Sequence, residues 1–219
     1  LTKKARGNDK IAIYQLKMAE RVLSVLQKGQ PARTIEIAKD NKKTFDMLQL
    51  LSAKPVLYVC NVEENSASEG NALSEDVVKM AVEQGAVSVV ISAKIEEEIA
   101  VLEDEAEKAE FLETLGLKET GLTRVIRAGY ELLNLITFFT VGPKEARAWT
   151  VSKNAKAPKA AGVIHTDFEK GFIKAETIAY KDFINCKGEQ GAKEAGKMRQ
   201  EGRDYQTQDG DVMLFRFNV

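Results

Sequence analysis

Two short runs free of charged residues, Val56 to Val59 and Ala86 to Ile91, constrain this chain more than any other feature. Neither shows the polar and apolar alternation of a half-exposed strand, so each reads as a fully buried strand of a parallel sheet. Pro55 stops the helical pattern that precedes the first run. Between the runs, Ser74 is placed to cap a helix over 76–84, and Gly85 ends it. The order strand, loop, helix, strand predicts a right-handed crossover. Both following loops then lie at the carboxyl ends of the strands, where open α/β sheets bind ligands.

The first of those loops reads Asn61, Val62, Glu63, Glu64 and the second Ser92, Ala93, Lys94. In P-loop NTPases of the GTPase type the corresponding strand ends in Asn-Lys-x-Asp, whose Asn and Asp read the purine edge while the Lys stem covers the ring. Here the Asn stays, Val62 stands for the Lys, and Glu64 is one methylene longer than the Asp. Guanine offers two N–H donors that a short carboxylate can clamp, whereas adenine offers one exocyclic donor beside ring acceptors. The change argues against guanine. Ser92 suits two compatible roles, supporting the base and capping a helix over 95–102, with Glu96 favourable to its dipole.

The rest of the chain divides by pattern. Residues 8–28 place Ile11, Tyr14, Met18, Val22 and Val25 on one helical stripe widened by Leu16, Leu23 and Leu26, and Gly29 with Pro31 stops it. A second helix is expected over 34–51 with Ile35, Ala38, Phe45, Leu48 and Leu51 inward, completing an antiparallel hairpin. Further helices are expected over 111–115 and 122–133. From Leu135 the pattern changes to two strands about Gly142 and Pro143, a helix over 157–164, a strand FIKAETIA, a Gly-rich helix near 192–199 and a final strand VMLFRFNV. That run is typical of a β-grasp module of about 85 residues. The expected fold class is a multidomain mixture of α/β and α+β: a helical hairpin over 1–52, part of a parallel P-loop-NTPase-type sheet over 53–134, and a β-grasp over 135–219.

No apolar run approaches the ~18 residues of a membrane span. The expectation is a soluble, cytoplasmic, monomeric protein. Cys60 and Cys186 lack metal or redox spacing and read as reduced buried thiols. His165 is the single histidine, which excludes any site built from two. Net charge is −1, yet residues 1–54 carry +7, residues 55–134 carry −11 and residues 135–219 carry +3. Two basic ends point to a polyanion, unless the middle acidity is one solvated helix from Glu96 to Glu113. Within the last segment Lys144, Arg147, Lys153, Lys156 and Lys159 gather against Glu145 alone, a candidate RNA- or ribosome-binding set.

These residues bear a specific resemblance. KPVLYVCNVEEN with ISAKIEEEIA, the stretch TGLTRVIRAGYELLNLITFFTVGPKEARAWT, and AGVIHTDFEKGFIKAETIAYKDF with YQTQDGDVMLFRFNV together resemble the YchF or Obg-like ATPase family, also described as ribosome-binding ATPases. The resemblance covers essentially all 219 residues. It implies that 1–52 ends a coiled-coil helical domain, 53–134 ends a G domain and 135–219 is a TGS domain. It also implies ATP and Mg2+ as cofactors, ribosome association, and Asn61 and Glu64 as base readers, with Val62 between them and Ser92, Ala93 and Lys94 as the supporting loop. His165 is matched by the family, but its chemistry points to a structural histidine.

Two parts of the family pattern are missing from the sequence: Gly-x-x-x-x-Gly-Lys-Ser/Thr and Asp-x-x-Gly. Gly191, Gly196 and Lys197 imitate the first, but Met198 stands where a magnesium-binding hydroxyl is required and no apolar strand feeds into Gly191. The chain is therefore expected to be a catalytically inactive piece of a longer ATPase. The alternatives are a non-enzymatic RNA or ribosome adaptor, and a small regulatory-ligand domain.

Overall fold

The computed structural model describes residues 9–218. The reading of residues 1–8 and of Val219 lies outside them. The chain forms two compact units, divided after Leu132.

In the first unit, helix α1 (Lys10–Leu26) is capped by Asp9, whose carboxylate accepts the Ile11 and Ala12 N–H groups at 3.0 and 3.2 Å. Its buried residues are Ala12, Met18 and Val22, while Ile11, Tyr14, Leu23 and Leu26 of the expected stripe face solvent. The second expected helix is less than half realised: α2 spans Lys39–Asp46. Ile35 and Ile37 both pack on Met18, Val22, Ala32 and Phe45. An inward spacing of two requires extended backbone, so the helix begins only after them. Gln49 at φ 50 then turns the chain out, leaving Leu51 79% exposed.

Strand β1 (Leu57–Asn61) pairs in parallel with β2 (Val87–Ile91) from Leu57↔Val87 to Asn61↔Ile91. The strands are half-buried rather than fully buried, with Val59 45% exposed. Two strands flanked by α3 (Ala72–Glu83) and α6 (Gly121–Leu132) cannot bury every side chain on both faces. The cap of α3 is Asn71. Ser74 sits at the third helical position and returns the bond in a capping box. Gly85 ends α3 at φ 61, as its position suggests. The acidic stretch is two helices, α4 (Ala93–Ala100) and α5 (Glu105–Thr114), because the Asp104 carboxylate accepts the Ala106 N–H at 2.7 Å and starts a new helix. Gln84 ties this part to the helical segment: its side-chain oxygen accepts from Tyr58 at 3.0 Å and Arg33 at 2.8 Å.

The second unit is a five-stranded sheet in the order β4-β3-β7-β5-β6. Its strands are β3 (Leu135–Val141), β4 (Ala146–Ser152), β5 (Phe172–Ala179), β6 (Arg199–Glu201) and β7 (Asp211–Phe217). The β3–β7 pair is parallel and the others antiparallel. Alternation along the strands builds two cores. Phe138, Val151, Phe172, Met213 and Phe215 pack with Ala157, Ala160 and Ala161 of α7 (Ala157–Ile164). Phe139, Val141, Ile178 and Val212 pack with Phe183 of α9 (Tyr180–Asn185) and Ala192 of α10 (Glu189–Glu194). The expected helix near 192–199 is thus α10, earlier and shorter, with Arg199 already in β6. Gly191 belongs to that packing, since a Cβ there would lie 2.0 Å from the Cys186 carbonyl oxygen.

Candidate nucleotide-base site

Asn61 is the last residue of β1, and the Val62 N–H continues the ladder to the Ile91 carbonyl at 2.9 Å. This bond carries the first loop alongside the second. There the Asn61 side-chain oxygen accepts the Ala93 N–H at 2.9 Å. Asn61 therefore caps α4, the task the sequence offered to Ser92. Its own carbonyl is committed by that bond, and the two N–H donors of its amide have no partner among the described residues. Ser92 occupies the N-cap position without a side-chain cap bond. It is only 3% exposed, and its hydroxyl is buried without a hydrogen-bond partner. Such an orphan normally has water or a ligand to satisfy it.

Glu64 opens a short 3₁₀ turn, Glu64–Ser66, and forms an ion pair with Lys94 in the first turn of α4. The Glu64 hydrogen bond and charge hold the Lys94 ammonium above its ordinary pKa. Val62 is buried, so its side chain anchors the loop and its N–H is already used. A cleft of about 280 Å³ lined by Asn61, Val62, Asn71 and Leu73 runs beside β1.

The support for this loop pair was only partly readable. Glu96, expected to act on its own helix dipole, reaches instead to the start of α6 and accepts the Gly121 and Leu122 N–H groups at 2.6 and 3.1 Å. Gly121 is required for that approach, because a Cβ would come within 2.9 Å of both Glu96 and Ile91. Thr120 caps the same helix, its hydroxyl accepting the Thr123 N–H at 3.0 Å, and the glycine that follows it was the signal available in the sequence for a close approach.

The basic set in the second unit is less isolated than the local sequence suggests. Lys156 pairs with Asp204 at 2.6 Å and Lys159 with Glu169 at 3.6 Å, so acids distant in sequence correct the count of Glu145 alone. The Arg147 guanidinium lies 4.2 Å from the Trp149 ring centroid. Lys144 and Lys153 are exposed and have no ion pair among the described residues. His165 accepts the Asp167 N–H at 3.2 Å through Nδ1 and caps α8 (Thr166–Lys170). One further cluster had no sequence signal: Tyr205 donates to the Asp211 carboxylate at 2.7 Å and accepts from Arg199 at 3.0 Å. Burial, then the bond to Asp211, pushes the Tyr205 hydroxyl up to about 12. Burial also raises the Asp211 carboxyl.

Among the described residues no helix is long and apolar enough to cross a membrane. Comparison with known proteins adds relatives over the whole chain. The family YchF-GTPase_C, described as "Protein of unknown function (DUF933)", matches residues 135–218. "Ribosome-binding ATPase YchF" of Haemophilus influenzae is 55% identical over 219 residues, all of this chain and 60% of the relative. The protein of the same name from Bacillus subtilis is 47% identical over 221 aligned positions, again all of this chain and 60% of the relative. The chain thus spans about 60% of the length of these relatives. The solved "Structure of the Schizosaccharomyces pombe YchF GTPase" superposes with a TM-score of 0.77 at 34% identity, covering 91% of this chain and 53% of that one. With a mixed α/β fold like that structure and near-half to over-half identity along its whole length, the chain belongs to the YchF family.

Proposed function

We propose that this chain carries the purine-reading and ribosome-facing parts of an ATP-binding, ATP-hydrolysing P-loop NTPase. The observation that supports this best is the direct coupling of the two loops, Asn61 to Ala93 and Glu64 to Lys94. With its oxygen held by a backbone N–H, the Asn61 amide presents donors, which suit the N7 acceptor of a purine. Glu64 supplies a neighbouring acceptor for an exocyclic amine, and the orphan Ser92 hydroxyl belongs to the second loop. Ala93 and Lys94 form the floor, and Val62 anchors it. Adenine is the preferred base. Two relatives are named ATPase and one solved relative GTPase, so base choice is the property to measure.

ATP supplies the phosphoryl group and Mg2+ the charge that stabilises its transfer, but these residues fit only the base. Neither phosphate motif is in the sequence, and the described residues contain no group of three or more His, Cys, Asp or Glu that could hold a metal ion. Catalysis is therefore assigned to residues outside this chain, which alone binds nucleotide weakly and does not turn it over. The central parallel β3–β7 pair and the strand order support a β-grasp of the TGS type over 135–219. Residues 1–52 are assigned to the helical domain and 53–134 to the end of the G domain. The name of the relatives supports ribosome association in the cytoplasm, and a monomer is proposed.

The test uses the full-length protein that contains this chain. Val62→Lys with Glu64→Asp restores the guanine-reading pattern and is expected to move preference from ATP toward GTP in calorimetric titrations. An unchanged ATP to GTP ratio would remove these residues from the base site.

A further inference from the structure

We propose that Lys94 is a specificity-determining residue, which excludes guanine by occupying one oxygen of Glu64. This rests on the base-site reading above and deepens it. The argument begins with donor counts. The Watson–Crick edge of guanine presents two parallel N–H donors, from N1 and N2, and a carboxylate clamps them with one oxygen to each. Adenine offers a single outward exocyclic N–H, which one oxygen satisfies. In this chain the Lys94 ammonium lies on Oε1 of Glu64, leaving Oε2 as the uncommitted acceptor. The ammonium also offsets the negative charge that would strengthen a bond to two donors.

The backbone at both ends of the pair is fixed by the fold. Lys94 follows Ala93, whose N–H is fixed by Asn61, and Glu64 follows Val62, whose N–H is fixed by Ile91 and whose side chain is buried. Both chain positions are thus set by the same β1–β2 ladder that places Asn61. Both side chains remain accessible, Lys94 67% and Glu64 37% exposed, so the pair can meet a base and can be removed without opening a core. Surface pairs of this kind contribute little to folding. The effect is instead on discrimination, since a second guanine donor would have to share Oε1 with the Lys94 ammonium.

The experiment is equilibrium titration of the full-length protein with ATP and with GTP, using Lys94→Met, Lys94→Arg and Asn61→Ala. Lys94→Met is expected to tighten GTP and narrow the ATP preference by about threefold to tenfold, the scale of one polar contact. Lys94→Arg keeps a cation on Glu64 and is expected to retain the preference. Lys94→Met made in a Glu64→Gln background is expected to leave the ratio where Glu64→Gln alone puts it. If Asn61→Ala weakens both nucleotides while Lys94→Met leaves their ratio unmoved or shifts it toward ATP, the inference about Lys94 is overturned and the base site stands. If Asn61→Ala changes neither affinity, the base-site reading fails and takes the inference with it.

Discussion

Asn61 does structural work across two loops and is proposed to read the base as well. Its oxygen caps the start of α4 and its amide N–H groups have no partner among the described residues, so the residue type was legible in the sequence while its partner, 32 residues away, was not. Ser92 was misread as the working cap for the same reason: Ser at an N-cap is the expected pattern, and nothing local shows that Asn61 has displaced it. The Tyr205, Asp211 and Arg199 cluster was invisible because it joins a loop to two strands that only the folded sheet brings together. Its titration gives a signed prediction. The Tyr205 hydroxyl is raised from 10.0 to about 12 in the folded state, so its contribution to stability is complete below pH 10 and lost as pH rises through about 12. The urea midpoint of the second unit is expected to fall across that window in the native protein and to lose this part of the slope in Tyr205→Phe. Asp211 acts with the same sign in acid, its contribution weakening as pH rises from 3.8 through its raised folded value.

At the scale of elements, periodicity served where tertiary packing agreed with it. All the strands of the second unit except the short β6, together with α7, lie within a few residues of their expected positions, because each alternates or repeats with one consistent period. The segment 34–51 failed since Ile35 and Ile37 are spaced by two and Phe45 and Leu48 by three, and a single helix cannot turn all of them inward. The acidic stretch failed at Asp104, a helix start that a count of charges conceals. The link between α4 and α6 through Glu96 yields a prediction about the first unit. Glu96→Ala removes the acceptor for two N–H groups at the start of α6 and is expected to lower stability by about 1–2 kcal/mol. Glu97→Ala, on the exposed side of the same helix, is expected to stay within about 0.5 kcal/mol. Chemical denaturation of the two variants side by side provides the measurement.

For the whole molecule, the separation of charge into basic ends and an acidic middle is the basis for the proposed contact with RNA through the basic parts. Clustered Lys and Arg bind phosphate by releasing counterions, so ribosome co-sedimentation of this chain is expected to fall steeply with salt, by roughly one power of concentration per phosphate neutralised. Reversal of Lys153, Lys156 and Lys159 to Glu is expected to weaken pelleting. Reversal of Lys153 alone is expected to account for most of the loss, since Lys156 and Lys159 already face Asp204 and Glu169. Equal pelleting of native and reversed chains would make these residues plain solvated surface. The central claim, that the strand-end loops at 61–64 and 92–94 form one purine site, is tested most directly by backbone-amide NMR of this chain during titration with ATP and GTP. The prediction is weak binding in which the amides of residues 61–64 and 92–94 shift together, further with ATP than with GTP, while those of β5 and β7 stay still. Shifts confined to other residues, or a larger response to GTP, would contradict it.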